Sequence, residues 1–194
     1  ALTAINKNPE NVAGYNLVSP LFDYDKTVKQ GINGAIWALI ALDSGNYGND
    51  EIRNKYLDKI LASEKNGGGW ALGESSTEPD ADITAMALIA LSDYRYEKRV
   101  YDAVERGITI LSKLQNEDGG YISYNTDAAE TSAQVLTAMA TLGIDAEDER
   151  FTKNGITLKD KIMSFRIADG SFLREGKSDI MTTEQSFYSL IAEK

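Results

Sequence analysis

Two patterns of apolar positions alternate along the chain. In the first, apolar or small residues run nearly all round a helix. Residues 82–92 show it, with Ile83, Ala85, Met86, Ala87, Leu88, Ile89, Ala90 and Leu91. A helix with no polar face is one buried on all sides. Residues 34–42 and 130–142 read the same way, and 182–192 does so more weakly. In the second pattern, apolar residues recur at steps of three and four. Val100, Tyr101, Val104, Ile108, Leu111 and Leu114 make one stripe, with Glu97, Lys98, Arg99, Asp102, Glu105, Arg106 and Lys113 elsewhere. Ile52, Tyr56, Leu57, Ile60 and Leu61 form a second stripe, and Leu158, Ile162, Met163 and Phe165 a shorter third. No stretch alternates with period two over a useful length. The pattern therefore predicts an all-α fold with little or no sheet.

The connectors are as regular as the helices. Glycine-rich turns at 67–69, 119–120 and 170 follow the amphipathic helices, where a residue of positive φ ends a helix. Ser44-Gly45-Asn46 and Gly143 end the apolar ones. The whole arrangement repeats. Gly68-Gly69-Trp70 precedes Asp82–Leu91, Gly119-Gly120-Tyr121 precedes Glu130–Met139, and Gly170-Ser171-Phe172 precedes Thr183–Leu190; Gly34–Leu42 is a looser, earlier copy. The helix-end residues Leu42, Leu91, Met139 and Leu190 lie 49, 48 and 51 positions apart. A period near 50 predicts stacked helix pairs, each burying against its neighbours what one pair cannot bury alone. The apolar helices are expected to form an inner wall and the amphipathic ones an outer wall. The reading is one domain over 1–194, with about four repeats and an irregular lead-in at 1–25.

Composition narrows the chemistry. The chain has 194 residues, 42% of them hydrophobic, enough for a sizeable core. Thirty acidic against twenty basic residues leave a formal net charge of −10. Such a surface repels phosphate backbones, so no nucleic acid is expected as a partner. No apolar run approaches the roughly 20 residues that span a bilayer, so no membrane insertion is expected. Cysteine and histidine are both absent. That removes disulfides, thiolate and imidazole metal sites, and histidine-based nucleophilic catalysis. No metal and no cofactor is expected. The chain starts at Ala1 without a signal-type segment, which reads as a processed protein or a piece of a larger parent.

These residues resemble a known repeat. A helix pair of about 50 residues with a Gly-Gly-aromatic turn is similar to the repeats of terpenoid cyclases and protein prenyltransferase β subunits. Leu114-Gln115-Asn116-Glu117-Asp118-Gly119-Gly120-Tyr121 resembles their glutamine-to-aromatic turn, with Tyr121 where tryptophan is usual. Asp80-Ala81-Asp82-Ile83-Thr84-Ala85 resembles the Asp-x-Asp-Asp-Thr-Ala motif of squalene-type (class II) cyclases, with Ile83 in place of the third aspartate. The resemblance covers about 30–194 and implies an α/α toroid, here a partial or open ring. Gly31–Gly34 and Ala41–Tyr47 further resemble toroid-repeat modules of bacterial exported surface proteins. That resemblance implies an extracellular or cell-surface location.

Each candidate site has two readings. By resemblance Asp82 is a general acid and Asp80 its neighbour, which requires a carboxyl kept protonated in a dry cavity. By local chemistry, Asp80 or Asp82 caps the helix that follows and stays ionised. Trp37, Trp70, Tyr121, Tyr124, Phe172, Phe187 and Tyr188 are candidates for a ligand-binding cavity, where rings stabilise cations. The recurrence of Trp70, Tyr121 and Phe172 at one place in each repeat favours packing between repeats instead. The oxygen-rich segment Asp43–Glu51 reads as a solvated turn, since its spacing does not fit a calcium loop.

Two functions follow. One is a non-catalytic module of a bacterial surface or secreted protein that binds a ligand, glycan or protein partner. The other is a class II terpene cyclase-like enzyme with Asp82 as acid. By resemblance a closed ring needs about six helix pairs, and other domains of the parent or a second copy would complete it. An open arc leaves its cleft wet, which favours the first reading.

Overall fold

The structure is a computed structural model, and it describes residues 1–123 and 126–192. The described residues are mostly helical. The α-helices are α1 (Tyr24–Thr27), α2 (Ile32–Asp43), α3 (Asp50–Ala62), α4 (Ala81–Leu91), α5 (Lys98–Leu114), α6 (Ala129–Leu142), α7 (Leu158–Ser164) and α8 (Ile180–Ala192). Two small antiparallel hairpins are the only paired strands among the described residues. One joins β1 (Ile122–Ser123) to β2 (Thr126–Asp127), the other β3 (Phe172–Arg174) to β4 (Lys177–Asp179). The second turns at Glu175 (φ 51°) and Gly176 (φ 77°), both in the positive-φ region that a two-residue type I′ loop requires.

The chain divides into two compact units, Ala1–Glu64 with Leu72–Ser76, and Lys65–Ala71 with Thr77–Lys194. In the first, α2 packs on α3. Ile36, Leu39 and Leu42 of α2 and Tyr56, Leu57 and Ile60 of α3 are all fully buried in its core. Asn49 caps α3 through the amide of Ile52 at 3.0 Å. Arg53 is buried on the same helix and reaches back to Asp43 (2.9 Å) and Asn46 (2.8 Å), tying α3 to the end of α2. The lead-in is short 3-10 turns at Thr3–Ile5 and Ser19–Phe22. The hydroxyl of Tyr56 donates to the Leu21 carbonyl at 2.7 Å and fixes its end.

In the second unit α4, α6 and α8 lie side by side, α5 packs on α4, and α7 on α6. The α5 stripe buries Val100, Val104, Ile108 and Leu111, while Tyr101 and Leu114 are exposed. The seam is thus narrower than the sequence pattern suggests. Its close approach depends on Gly107, where a Cβ would stand 2.9 Å from Leu88 and 3.0 Å from the Trp70 ring. α8 departs from the expected buried helix. Only Thr182, Ser186 and Ser189 are buried, on the side toward α6, whereas Phe187, Tyr188 and Ile191 are exposed.

One turn recurs three times in this unit. The amide of Lys65 donates to Gly69 O (2.8 Å), Asn116 to Gly120 O (2.9 Å) and Ile167 to Ser171 O (2.9 Å). The amides of Gly68, Gly119 and Gly170 donate back to Lys65, Asn116 and Ile167 at 2.9, 3.0 and 2.9 Å. All three glycines have positive φ, which costs a residue with a Cβ steric energy. The next aromatic residue, Trp70, Tyr121 or Phe172, buries its ring. Its backbone then holds the inner helix: Trp70 O accepts from the Asp80 amide (2.9 Å) and Tyr121 O from Ala128 (3.1 Å). The amides of Trp70 and Phe172 donate to the hydroxyls of Thr84 and Thr183, both at 2.9 Å.

The two tryptophans consequently differ. Trp70→Ala is expected to cost about 3–5 kcal/mol, as truncation of a fully buried large aromatic does. Trp37→Ala, at a half-exposed ring, is expected to stay within about 0.5 kcal/mol. Urea denaturation of both variants measures the contrast, and equal losses would contradict the wedge role of Trp70.

Candidate functional site

The turns bring the first turns of α4, α6 and α8 together, and the functional geometry lies there. Asp80 precedes α4 and caps it, accepting from the Ile83 amide at 2.8 Å. Asp179 does the same for α8 through the Thr182 amide, also at 2.8 Å. α6 starts from Ala128 with no side-chain cap. Asp82 therefore has no capping duty. It stands in the first turn of α4 and reaches the neighbouring repeat. Its Oδ2 accepts from the hydroxyls of Thr131 on α6 (3.1 Å) and Ser123 on β1 (3.3 Å). Glu130 takes the same place one repeat later. Its Oε1 lies 2.7 Å from the Thr182 hydroxyl on α8 and 3.4 Å from Arg174 Nε. A carboxylate-to-hydroxyl step thus passes from α4 to α6 and again from α6 to α8.

Above these steps lies a half-open groove of about 340 Å³. Asp82, Met86, Ser123, Thr126, Asp127, Ala128, Glu130, Thr131, Gln134, Arg174, Glu175, Met181 and Gln185 line it. The inner helices contribute in register. Asp82, Glu130 and Met181 form one row, and Met86, Gln134 and Gln185 the next, one turn further along each helix. This explains why α4, apolar nearly all round in sequence, is not buried all round. Asp82, Met86 and Ile89 face partly outward.

Charge in the groove is uneven. Lys161 Nζ lies 2.5 Å from Asp127 and 2.7 Å from Asp118, and its ammonium holds the Asp118 carboxyl below the usual range. Arg174 faces Glu130. Asp82 and Glu175 have no ion-pair partner among the described residues. Burial pushes the Asp82 carboxyl above its ordinary value, and the negative charges of Asp80 and Glu130 add to that. The hydroxyls of Thr131 and Ser123 act the other way, because they stabilise the charged form. Among the described residues, no three acidic side chains come together as metal ligands.

Of the described residues singled out by sequence, Asp82 alone is found in the groove lining. Asp80 is beside it as the helix cap. Trp70, Tyr121 and Phe172 are buried in the core, and the Tyr121 hydroxyl donates to the Leu111 carbonyl at 2.9 Å. Trp37, Phe187 and Tyr188 are exposed, and none of them lines the groove. Tyr124 lies outside the described residues, between the lining residues Ser123 and Thr126 in sequence. The motifs do not point to Glu130, Gln134, Arg174, Glu175 or Gln185. The signal for three of them is nevertheless present in the repeat: Glu130 sits 48 positions after Asp82, and Gln185 sits 51 after Gln134.

Residues 48–139 match the family model of the squalene-hopene cyclase C-terminal domain. The match supports a terpenoid cyclase and prenyltransferase-like repeat in this part of the chain, from α3 through most of α6. It takes in Asp80, Asp82, Glu130 and Gln134, and leaves out the groove residues of the β3–β4 hairpin and α8. No curated protein matches the chain.

The two aspartates should separate experimentally. Asp80→Ala is expected to destabilise by about 1 kcal/mol through the lost cap. Asp82→Asn should instead show a pH dependence. The folded Asp82 carboxyl binds its proton more tightly than the unfolded one, whose ordinary value is 3.8. Its contribution is therefore fully present below that value and declines as pH rises through the folded pKa. The melting temperature of Asp82→Asn should gain on the parent as pH rises from about 3.5 to about 7. A constant difference across that range would contradict the raised Asp82 carboxyl.

Proposed function

We propose that this chain is a non-catalytic squalene-cyclase-like repeat module that binds a polar ligand or partner in the groove over α4, α6 and α8. The observation that carries the reading is the groove's lining. Carboxylates, carboxamides and a guanidinium face it beside Met86, Met181 and Ala128, and it stands half open to water. Cyclisation of an isoprenoid needs a dry pocket and aromatic faces around a carbocation. Here no aromatic ring is found among the described lining residues. The setting we propose is a bacterial surface or secreted protein, on the strength of the segments Gly31–Gly34 and Ala41–Tyr47.

One observation favours the second reading, a class II cyclase with Asp82 as acid. Burial raises the Asp82 carboxyl, as acid catalysis requires. Yet Asp82 also accepts two hydroxyl hydrogen bonds, which favour the ionised form and oppose proton donation.

Incubation with squalene and with linear prenyl diphosphates, followed by mass spectrometry of the organic extract, separates the readings. The expected result is no cyclised product. A product that disappears in Asp82→Asn would overturn the binding-module reading. Thermal-shift screening against glycans and peptides supplies the positive arm. A groove ligand at about 100 times its Kd is expected to stabilise by about 2.7 kcal/mol. Antibody probing of cell-wall and cytosolic fractions of the source cells tests the location.

A further inference from the structure

We propose that the groove receives an extended polypeptide segment carrying a lysine or arginine, a proposal that rests on the polar-ligand reading above. The first observation is a pair of carboxamides. Gln134 on α6 and Gln185 on α8 occupy the same register position, 51 residues apart, on helices that lie side by side. Both line the groove, both are half-buried, and neither has a hydrogen-bond partner among the described residues. A carboxamide offers donors and an acceptor together, which match the C=O and N–H of a peptide unit. Packed helices stand about 8–10 Å apart. An extended chain of polyproline-II type rises about 3.1 Å per residue and repeats every three residues, about 9.3 Å. A repeat of about 9.3 Å lies within that helix separation of about 8–10 Å, so one extended chain can offer peptide units of one orientation to both helices.

The second observation is the charge and the walls beside that pair. Asp82 and Glu175 have no cationic partner among the described residues, while Arg174 is set against Glu130. A basic side chain entering the groove meets two carboxylates that no described cation pairs with, in a concave site where attraction is less screened than on an open surface. Met86 and Met181 flank this place. Their polarizable, adaptable side chains suit the alkyl stem of lysine or arginine. A free polyamine would satisfy the carboxylates and leave both glutamines unused. An oligosaccharide would use the glutamines but find no described ring to stack on.

Selection from a phage-displayed library of random dodecapeptides tests the proposal, with the Gln134→Ala/Gln185→Ala double variant as counter-target. Circular dichroism melting first establishes that the variant keeps its fold, as expected for alanine at two half-exposed helix positions. The expected result is enrichment of peptides containing lysine or arginine. Synthetic versions should lose at least tenfold in affinity against the double variant, and likewise when their backbone amides are N-methylated. Failure to enrich above the double variant, or spermidine binding as tightly as the peptides, overturns the proposal. A glycan array is probed in parallel. Oligosaccharide binding that the double variant abolishes overturns the peptide class while sustaining the polar-ligand reading. Absence of both peptide and glycan binding removes both.

Discussion

Each inner helix of the second unit depends on a backbone clamp at its foot. A glycine in the positive-φ region closes a tight turn after the amphipathic helix or its equivalent, with reciprocal bonds such as Asn116 to Gly120 and Gly119 to Asn116. An aromatic follows whose ring is buried, so the turn cannot slide along the core without opening a large cavity. The polar groups of that same residue then bond to the start of the inner helix. Trp70 does so at both its amide and its carbonyl, through Thr84 and Asp80. One residue thus couples side-chain burial to helix position. The turn glycines Gly68, Gly119 and Gly170 recur at steps of 51 residues, and after each the backbone of the buried aromatic bonds to the start of α4, α6 or α8, across a connection three residues longer before α4 than before the other two.

The groove is a consequence of that register. When helices start alike, equivalent residues stand in rows, and any row that faces outward becomes a lining. The rows here hold Asp82, Glu130 and Met181, then Met86, Gln134 and Gln185. Each carboxylate is held by a hydroxyl from the next helix, Thr131 for Asp82 and Thr182 for Glu130. These bonds tie α4 to α6 and α6 to α8. Asp82 sits between opposing influences. Burial and two acidic neighbours favour its neutral form, and two hydroxyl donors favour its charge.

The periodic features are legible in the order of residues alone. Stripes at three- and four-residue steps locate α3, α5 and α7, and the glycine-aromatic blocks locate the turns. The places where periodicity misleads have physical causes. Tyr101 and Leu114 belong to the α5 stripe by spacing, yet Val100, Val104, Ile108 and Leu111 fill the seam against α4 and leave those two at its edges, exposed. Phe187 and Tyr188 read as candidate cavity-lining rings on a helix expected to be buried. α8 meets α6 through the small residues Thr182, Ser186 and Ser189, and turns its large side chains outward.

The sequence alone determined the helical class and the places where the chain turns, because each depends on residues within a turn or two of one another. It also bounded the chemistry, since a chain without cysteine or histidine has no thiolate or imidazole to offer. Tertiary structure decided which aspartate caps and which enters the groove. Asp80 and Asp82 are equally good caps by type, and their roles separate only when Thr131 and Ser123, 49 and 41 residues away, supply hydroxyls to Asp82. The rows of the groove were decided in the same way. They form between helices about 50 residues apart, and packing across that distance, rather than spacing along one helix, selects which side chains meet.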